Sequence, residues 1–259
     1  MTTTIHHVNC GSLQVTPNSK AICHCLLLED GDRFALVDTG IGLLDVQNPL
    51  ERIGRPLIDM AGFLFHAEDT AVRQVEKLGF RTKDVTHVVL THCDPDHVGG
   101  LADFPHAVVH VGEEERASVR RGRFRYLPLQ FAHGPVWKTY PTATRRWFGL
   151  EARPVALGFG SEVLLVPLFG HTLGHCGVAI QQGERWVLHA GDAYYLRVEL
   201  ATDDHPVSQL VAQRADDDNQ RKASLEQVRR LAHEHRDEID LFGYHDPAEF
   251  PQAGRPKQR

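Results

Sequence analysis

The stretch Thr91–Gly100 reads THCDPDHVGG, so His92, Asp94, Asp96 and His97 fall within six positions, just ahead of a glycine pair. Later stretches add FGHTLGH with His171, HAGDAYY with Asp192 and GYHDP with His245. Imidazole is the commonest metal-binding side chain. Histidines alone would leave two dications uncompensated, whereas carboxylates supply the missing negative charge. Seven nitrogen and oxygen donors on loops can surround two divalent ions about 3.5–4 Å apart, close enough for one hydroxide to bridge both and to attack a polarised carbonyl or phosphoryl group.

For this to happen, strands must deliver each stretch to a common edge. The runs Ala21–Leu28 and Arg33–Val37, joined by the turn EDGD, read as a hairpin that ends in the loop Asp38-Thr39-Gly40. Asp69 is an N-cap candidate for a helix with Val72, Val75 and Leu78 at helical spacing and Gly79 as its stop. The apolar run Val85–Leu90 predicts a buried strand from which the quoted stretch emerges, and strand ends are where α/β folds place active sites. Val163–Val166, Gly177–Gln181 and Trp186–His189 read as further strands, and DLFGYHD as a last strand and loop. Ser224-Leu225-Glu226-Gln227 is a capping-box candidate opening a helix with Leu225, Val228 and Leu231 on one face.

Composition narrows the class of function. The chain has 259 residues, is 42% hydrophobic and carries a formal net charge of −6. It can therefore bury a large core, and it has no basic excess to draw it to nucleic acid or to an anionic membrane. A small-molecule substrate is the expected partner. The absence of a long apolar run or a secretory leader pattern leads us to expect the cytoplasm. Five cysteines without a C-x-x-C pair (Cys10, Cys23, Cys25, Cys93 and Cys176) suggest plain thiols rather than a disulfide framework.

The middle of the chain differs. Between Arg116 and Leu150 lie Arg116, Arg120, Arg121, Arg123, Arg125, Lys138, Arg145 and Arg146 with no acid, interleaved with Phe124, Tyr126, Phe131, Trp137, Tyr140, Trp147 and Phe148. We expect a basic aromatic insertion at about 112–151 within a single domain spanning 1–259. It could pack its own small core, make a homodimer contact, or form a lid that attracts an anionic or aromatic substrate.

Taken together, HCDPDH, His171, Asp192 and His245 resemble the H-x-H-x-D-H signature and distant ligands of the metallo-β-lactamase-fold superfamily, and Val37–Gly40 (VDTG) resembles its structural turn. The resemblance implies an α/β fold, an αββα sandwich of two mixed β-sheets face to face with helices outside. It also implies two divalent metal ions. His92, Asp94 and His171 would hold the first, Asp96, His97 and His245 the second, and Asp192 would bridge them. Asp94 departs from the pattern, standing where the family has its second histidine. Zinc is the expected metal, and because a carboxylate is a harder ligand than imidazole, iron and manganese stand as alternatives to it. Relatives with Glu at this position, the flavodiiron proteins, use two irons and append a flavodoxin domain. The present chain ends about 14 residues after His245, so redox chemistry is the weaker expectation.

The resulting expectation is a metallo-hydrolase with Asp96 and Tyr195 in the catalytic machinery. Lactonases of this superfamily carry a Tyr three residues after the bridging Asp, which here is Tyr195, so a lactone or related ester is the expected substrate. Thioesters, β-lactams and phosphodiesters are rivals. Asp38 is expected to hydrogen-bond its loop and His175 to support a ligand, neither touching metal. Cys93 is expected to be buried, and His133 to meet either substrate or solvent.

Overall fold

Alternation along the strands accounts for a core in three layers. In the computed structural model, which describes residues 2–16, 19–141 and 143–251, two mixed sheets lie face to face. Positions 1, 17, 18, 142 and 252–259 of the expected domain lie outside the described residues. The first sheet comprises β1 (Thr4–Thr16), β2 (Ser19–Asp30), β3 (Arg33–Val37), β4 (Phe63–Leu64), β5 (Val85–Val89), β6 (Val108–Gly112) and β7 (Val136–Tyr140), in the order β4-β1-β2-β3-β5-β6-β7. The second comprises β8 (Arg145–Trp147), β9 (Leu150–Pro154), β10 (Val163–Pro167), β11 (Cys176–Gln182), β12 (Arg185–His189) and β13 (Ile239–Phe242), in the order β13-β12-β11-β10-β9-β8. Neighbours run antiparallel except for β3-β5-β6-β7 and β12-β13, which are parallel.

Leu26, Leu28, Ala35, Val37 and Val89 of the first sheet meet Val163, Leu165, Val178, Ile180 and Val187 of the second in the central layer. Their sequence neighbours point the other way. Leu27, Leu36 and Val88 face a helical layer that includes Val72 and Val75. Leu164, Ala179 and Leu188 face Leu225, Val228 and Leu231. A period of two on strands buried from both sides yields the αββα sandwich.

Local signals failed at two helix starts. Helix Ala71–Lys77 is preceded by Thr70, with Asp69 in a separate short turn, and Leu78 lies at its end 40% exposed rather than in the core. The C-terminal helix begins at Asp218, not at Ser224. Asp217 caps it by accepting from the Asn219 and Gln220 amides, while Ser224 sits mid-helix and donates to the Phe169 carbonyl. The glycine pair behaves as its composition suggests. A Cβ on Gly99 would stand 2.2 Å from Asp45 Oδ2, and one on Gly100 would stand 2.6 Å from the Thr39 carbonyl oxygen. The segment 112–151 is the crossover between the sheets and supplies β7 to one and β8 to the other. Tyr126, Phe131 and Trp137 pack on the first sheet's outer core and Trp147 and Phe148 on the second's, so these aromatics build no core of their own.

Leu165 is fully buried between the sheets. Leu165→Ala should cost about 2–5 kcal/mol, through lost burial and the cavity left behind. A fall in the denaturation midpoint with an unchanged denaturant slope would record it.

Candidate metal centre

Four loops leave neighbouring strand ends and meet. The loop after β5 carries His92 to His97, that after β10 carries His171, that after β12 carries Asp192 and that after β13 carries His245. Backbone hydrogen bonds hold these loops to one another and to the segments beside them. Cys176 N–H donates to the Thr91 carbonyl, Thr39 N–H to that of His97 and His24 N–H to that of Tyr244.

Two groups of donor atoms result, each with all its atoms within 4.8 Å of one another: His92, His171 and Asp192 in one, and Asp96, His97 and His245 in the other. Asp192 stands between them. Its Oδ2 lies 3.3 Å from His171 Nε2, 3.4 Å from His245 Nε2 and 4.0 Å from His92 Nε2, and its Oδ1 lies 3.3 Å from His97 Nε2. Asp96 Oδ2 lies 3.6 Å from His245 Nε2. His92 Nε2, His97 Nε2 and Asp192 Oδ1 are buried without a hydrogen bond. Such atoms are costly unless something positive satisfies them, and a donor set of imidazoles and carboxylates suits divalent cations.

The outward nitrogens fix how the rings are aimed. His97 Nδ1 donates to Asp38 Oδ2 at 2.9 Å, and Asp38 also accepts from the Thr91 amide and hydroxyl. His245 Nδ1 donates to the Ile22 carbonyl at 3.0 Å, and His92 Nδ1 lies 3.1 Å from Thr91 Oγ1. His171 Nδ1, by contrast, is buried without a hydrogen bond. His175 joins neither group. Its Nδ1 donates to the Leu168 carbonyl and its Nε2 accepts from the Asp192 amide at 2.9 Å, which fixes its tautomer and holds the backbone of Asp192. Gly191 has φ +56°, and a Cβ there would stand 2.6 Å from His175 Nε2.

Asp94 is in neither group of three. Arg125 grips it, with Nε 2.7 Å from Oδ1 and Nη2 2.6 Å from Oδ2, while that Oδ2 also lies 3.1 Å from His171 Nε2 and 3.5 Å from His92 Nε2. The segment's basic character thus reaches the centre through Arg125. Arg145 pairs with Glu162 and Arg146 bonds the Gly149 carbonyl, both on β8 at an edge of the second sheet.

Charge and burial compete throughout. Burial opposes ionisation of Asp94, but Arg125 and then His92 and His171 hold its carboxyl well below the usual range. Burial likewise opposes the charge of Asp192, yet His245, His97 and His171 keep its pKa well down. Burial and then His97 lower His92 to about 4, so at neutral pH it offers a free lone pair. Burial pushes the Tyr195 phenol well up, with Asp192 adding to the effect, so it stays protonated and able to donate.

The Tyr195 ring centroid lies 4.9 Å from that of His245 and 5.9 Å from that of His171, across both groups. Tyr194 is fully buried and its hydroxyl bonds Glu249. Cys93 is fully buried and its amide donates to Glu115 Oε1, while His133 is half-buried. Sequence reasoning missed Glu115, which also accepts from Thr172 and so joins two of the loops. It missed Glu199, which accepts from the Tyr195 and Leu196 amides and shapes the loop beyond Asp192. Tyr244 was missed too, although it adjoins His245. Its ring stacks on His97 with centroids 3.8 Å apart, and its hydroxyl donates to the Asp96 carbonyl.

A family model described as the metallo-beta-lactamase superfamily matches residues 20–237. The chain belongs to that superfamily. Probable metallo-hydrolases of Mycobacterium tuberculosis and Mycobacterium bovis are each 44% identical to it over 203 residues, 76% of this chain. The match spans 64% of the length of those relatives. The superfamily fold is shared with an N-acyl homoserine lactone hydrolase whose structure holds N-hexanoyl-L-homoserine at its catalytic metal centre. That protein is 20% identical, with 96% of each chain covered and a TM-score of 0.72. The dizinc quorum-quenching lactonase AidC is 19% identical, with 91% of this chain and 78% of that one covered and a TM-score of 0.59. Among the described residues no helix is long and apolar enough to cross a membrane.

His175→Ala should leave the buried Asp192 amide without its acceptor, at a cost of about 1–3 kcal/mol. Loss of such a ligand-supporting contact should also weaken cation binding roughly 10–100-fold. Denaturation and metal titration of the same variant would measure the two effects.

Proposed function

We propose that this protein is a dinuclear metal-dependent hydrolase of a lactone or related ester. The observation that carries the reading is the protonated Tyr195 phenol spanning the two donor groups, where a substrate carbonyl would sit against both. His92, Asp94 and His171 would hold one cation, Asp96, His97 and His245 the other, with Asp192 shared; zinc is the favoured metal, as in dizinc AidC. When bound, two divalent cations supply Lewis-acid polarisation of a carbonyl and a water of lowered pKa.

The chain's own residues do the rest. Tyr195 donates a hydrogen bond to the substrate's carbonyl oxygen, and that bond strengthens as negative charge develops on the oxygen during attack. Asp96, half-buried where Asp192 is buried, would stand beside the attacking water and take up the proton that water gives up as its oxygen bonds to the carbonyl carbon. Glu199 fixes the Tyr195 backbone, and the stacked Tyr244 ring holds His97 in place. The substrate is a small molecule.

A hydrolysis panel of lactones, thioesters, β-lactams and phosphodiesters on metal-defined protein tests the class, and turnover of lactones above the others is expected. On the best substrate, Tyr195→Phe should lower kcat by about 10²-fold or less, since cations share the developing charge with the phenol. Metal content and Tm should stay near wild type. Tyr194→Phe should give the opposite signature, a lower Tm with kcat little changed, because its hydroxyl serves Glu249. An unchanged kcat in Tyr195→Phe would remove the phenol from the chemistry.

A further inference from the structure

We propose that Arg125 competes with a cation for Asp94, so that the two halves of the centre fill in order: the Asp96–His97–His245 half first and the His92–Asp94–His171 half second. The inference rests on the reading above that both halves hold cations.

Both Asp94 oxygens already carry a short charge-assisted bond from the guanidinium, at 2.7 and 2.6 Å, in the fork geometry that arginine makes with carboxylates. A cation drawing on Asp94 must share or displace these bonds. The guanidinium cannot easily swing aside, because its Nη1 also donates to the His171 carbonyl at 2.9 Å and lies 3.0 Å from Asp216 Oδ1. It is also only 13% exposed. Nη2 lies 3.4 Å from His171 Nε2, so a fixed positive charge faces the first half. Among the described residues no Lys or Arg forms an ion pair with Asp96, whose carboxylate meets only His97 and His245.

Ring anchoring points the same way. Both imidazoles of the second half have their outer nitrogens bonded, His97 to Asp38 and His245 to Ile22. In the first half, His171 Nδ1 has no hydrogen bond. Anchored imidazoles bind metal more tightly because their orientation is already set.

The test is a titration of metal-stripped protein with zinc against a chromophoric chelator, with cobalt(II) as a spectroscopic probe. Wild type should bind in two steps with dissociation constants at least about tenfold apart. His245→Ala should abolish the tight step and His171→Ala the weak one. Arg125→Met should tighten the weak step roughly 10–100-fold, and the double variant Asp94→Ala/Arg125→Met should not tighten it. Should Arg125→Met fold poorly, Arg125→Lys keeps the charge but cannot bond both oxygens, and it should tighten the weak step by less. If Arg125→Met leaves the weak step unchanged or weakens it, the competition is refuted while the dinuclear reading stands. A wild type that binds no cation refutes both.

Discussion

Asp38, Asp94 and Asp192 are at least nine-tenths buried, and an ionised carboxylate taken from water costs several kcal/mol unless positive or donating groups face it. Most of the centre's architecture follows from meeting that cost three times in one place. Asp38 is met by His97 and by the amide and hydroxyl of Thr91, Asp94 by the Arg125 fork and Asp192 by imidazoles. Each solution uses a different chemistry. Asp38 has all the donors it needs from protein, which suits a residue that only aims a ring. Asp192 leaves Oδ1 buried without a hydrogen bond, a negative charge of the kind a cation would satisfy.

The sandwich makes such convergence affordable in backbone terms. Loops at the ends of packed strands begin from rigid positions, so few residues have to be ordered to bring donors together. Only short reaches remain. Cys176 at the start of β11 bonds back to Thr91, and Tyr244 to His24 within β2, so segments from opposite sheets brace the loops directly. This also accounts for small residues at the crossing points, since Gly191 and the Gly99–Gly100 pair stand where a methyl group would strike a neighbouring side chain or backbone oxygen.

How much of this was legible in the sequence depended on the range of the interaction. The strands could be read because burial on both faces imposes apolar runs, as in Val163–Pro167, whereas Val85–Val89 kept enough valines to be read although Thr86 is exposed and His87 half-buried. The residues that cluster could be read because only certain side chains bind cations and each of these follows a strand. Helix starts were less legible, since Ser224 and Asp217 are both good capping types and only the tertiary contact of Ser224 with Phe169 tells them apart. Arg125 was not legible at all. It stands 31 residues from Asp94 in a segment with seven other basic residues, and sequence composition cannot say which of them turns inward. Glu115 and Glu199 were hidden for a related reason, because buried carboxylates that serve backbone amides look like surface acids in a sequence.

The charge segregation of the crossover segment finds its counterweights elsewhere in the fold. Arg123 and Arg125 share Asp216, just ahead of the C-terminal helix, and Arg145 meets Glu162, just ahead of β10. A segment that crosses from one sheet to the other has few contacts within itself, so pairing its arginines with acids on distant elements ties it down at several points. Asp216 carries particular weight in this respect. Its amide donates to the His171 carbonyl, and its carboxylate accepts from the Leu173 amide and faces both arginines. The loop bearing His171 and the loop bearing Arg125 are therefore held to the same residue. A shift of the crossover would be felt at Asp94 and His171 together, whereas His97 and His245, anchored to Asp38 and Ile22 on the other side, would be insulated from it.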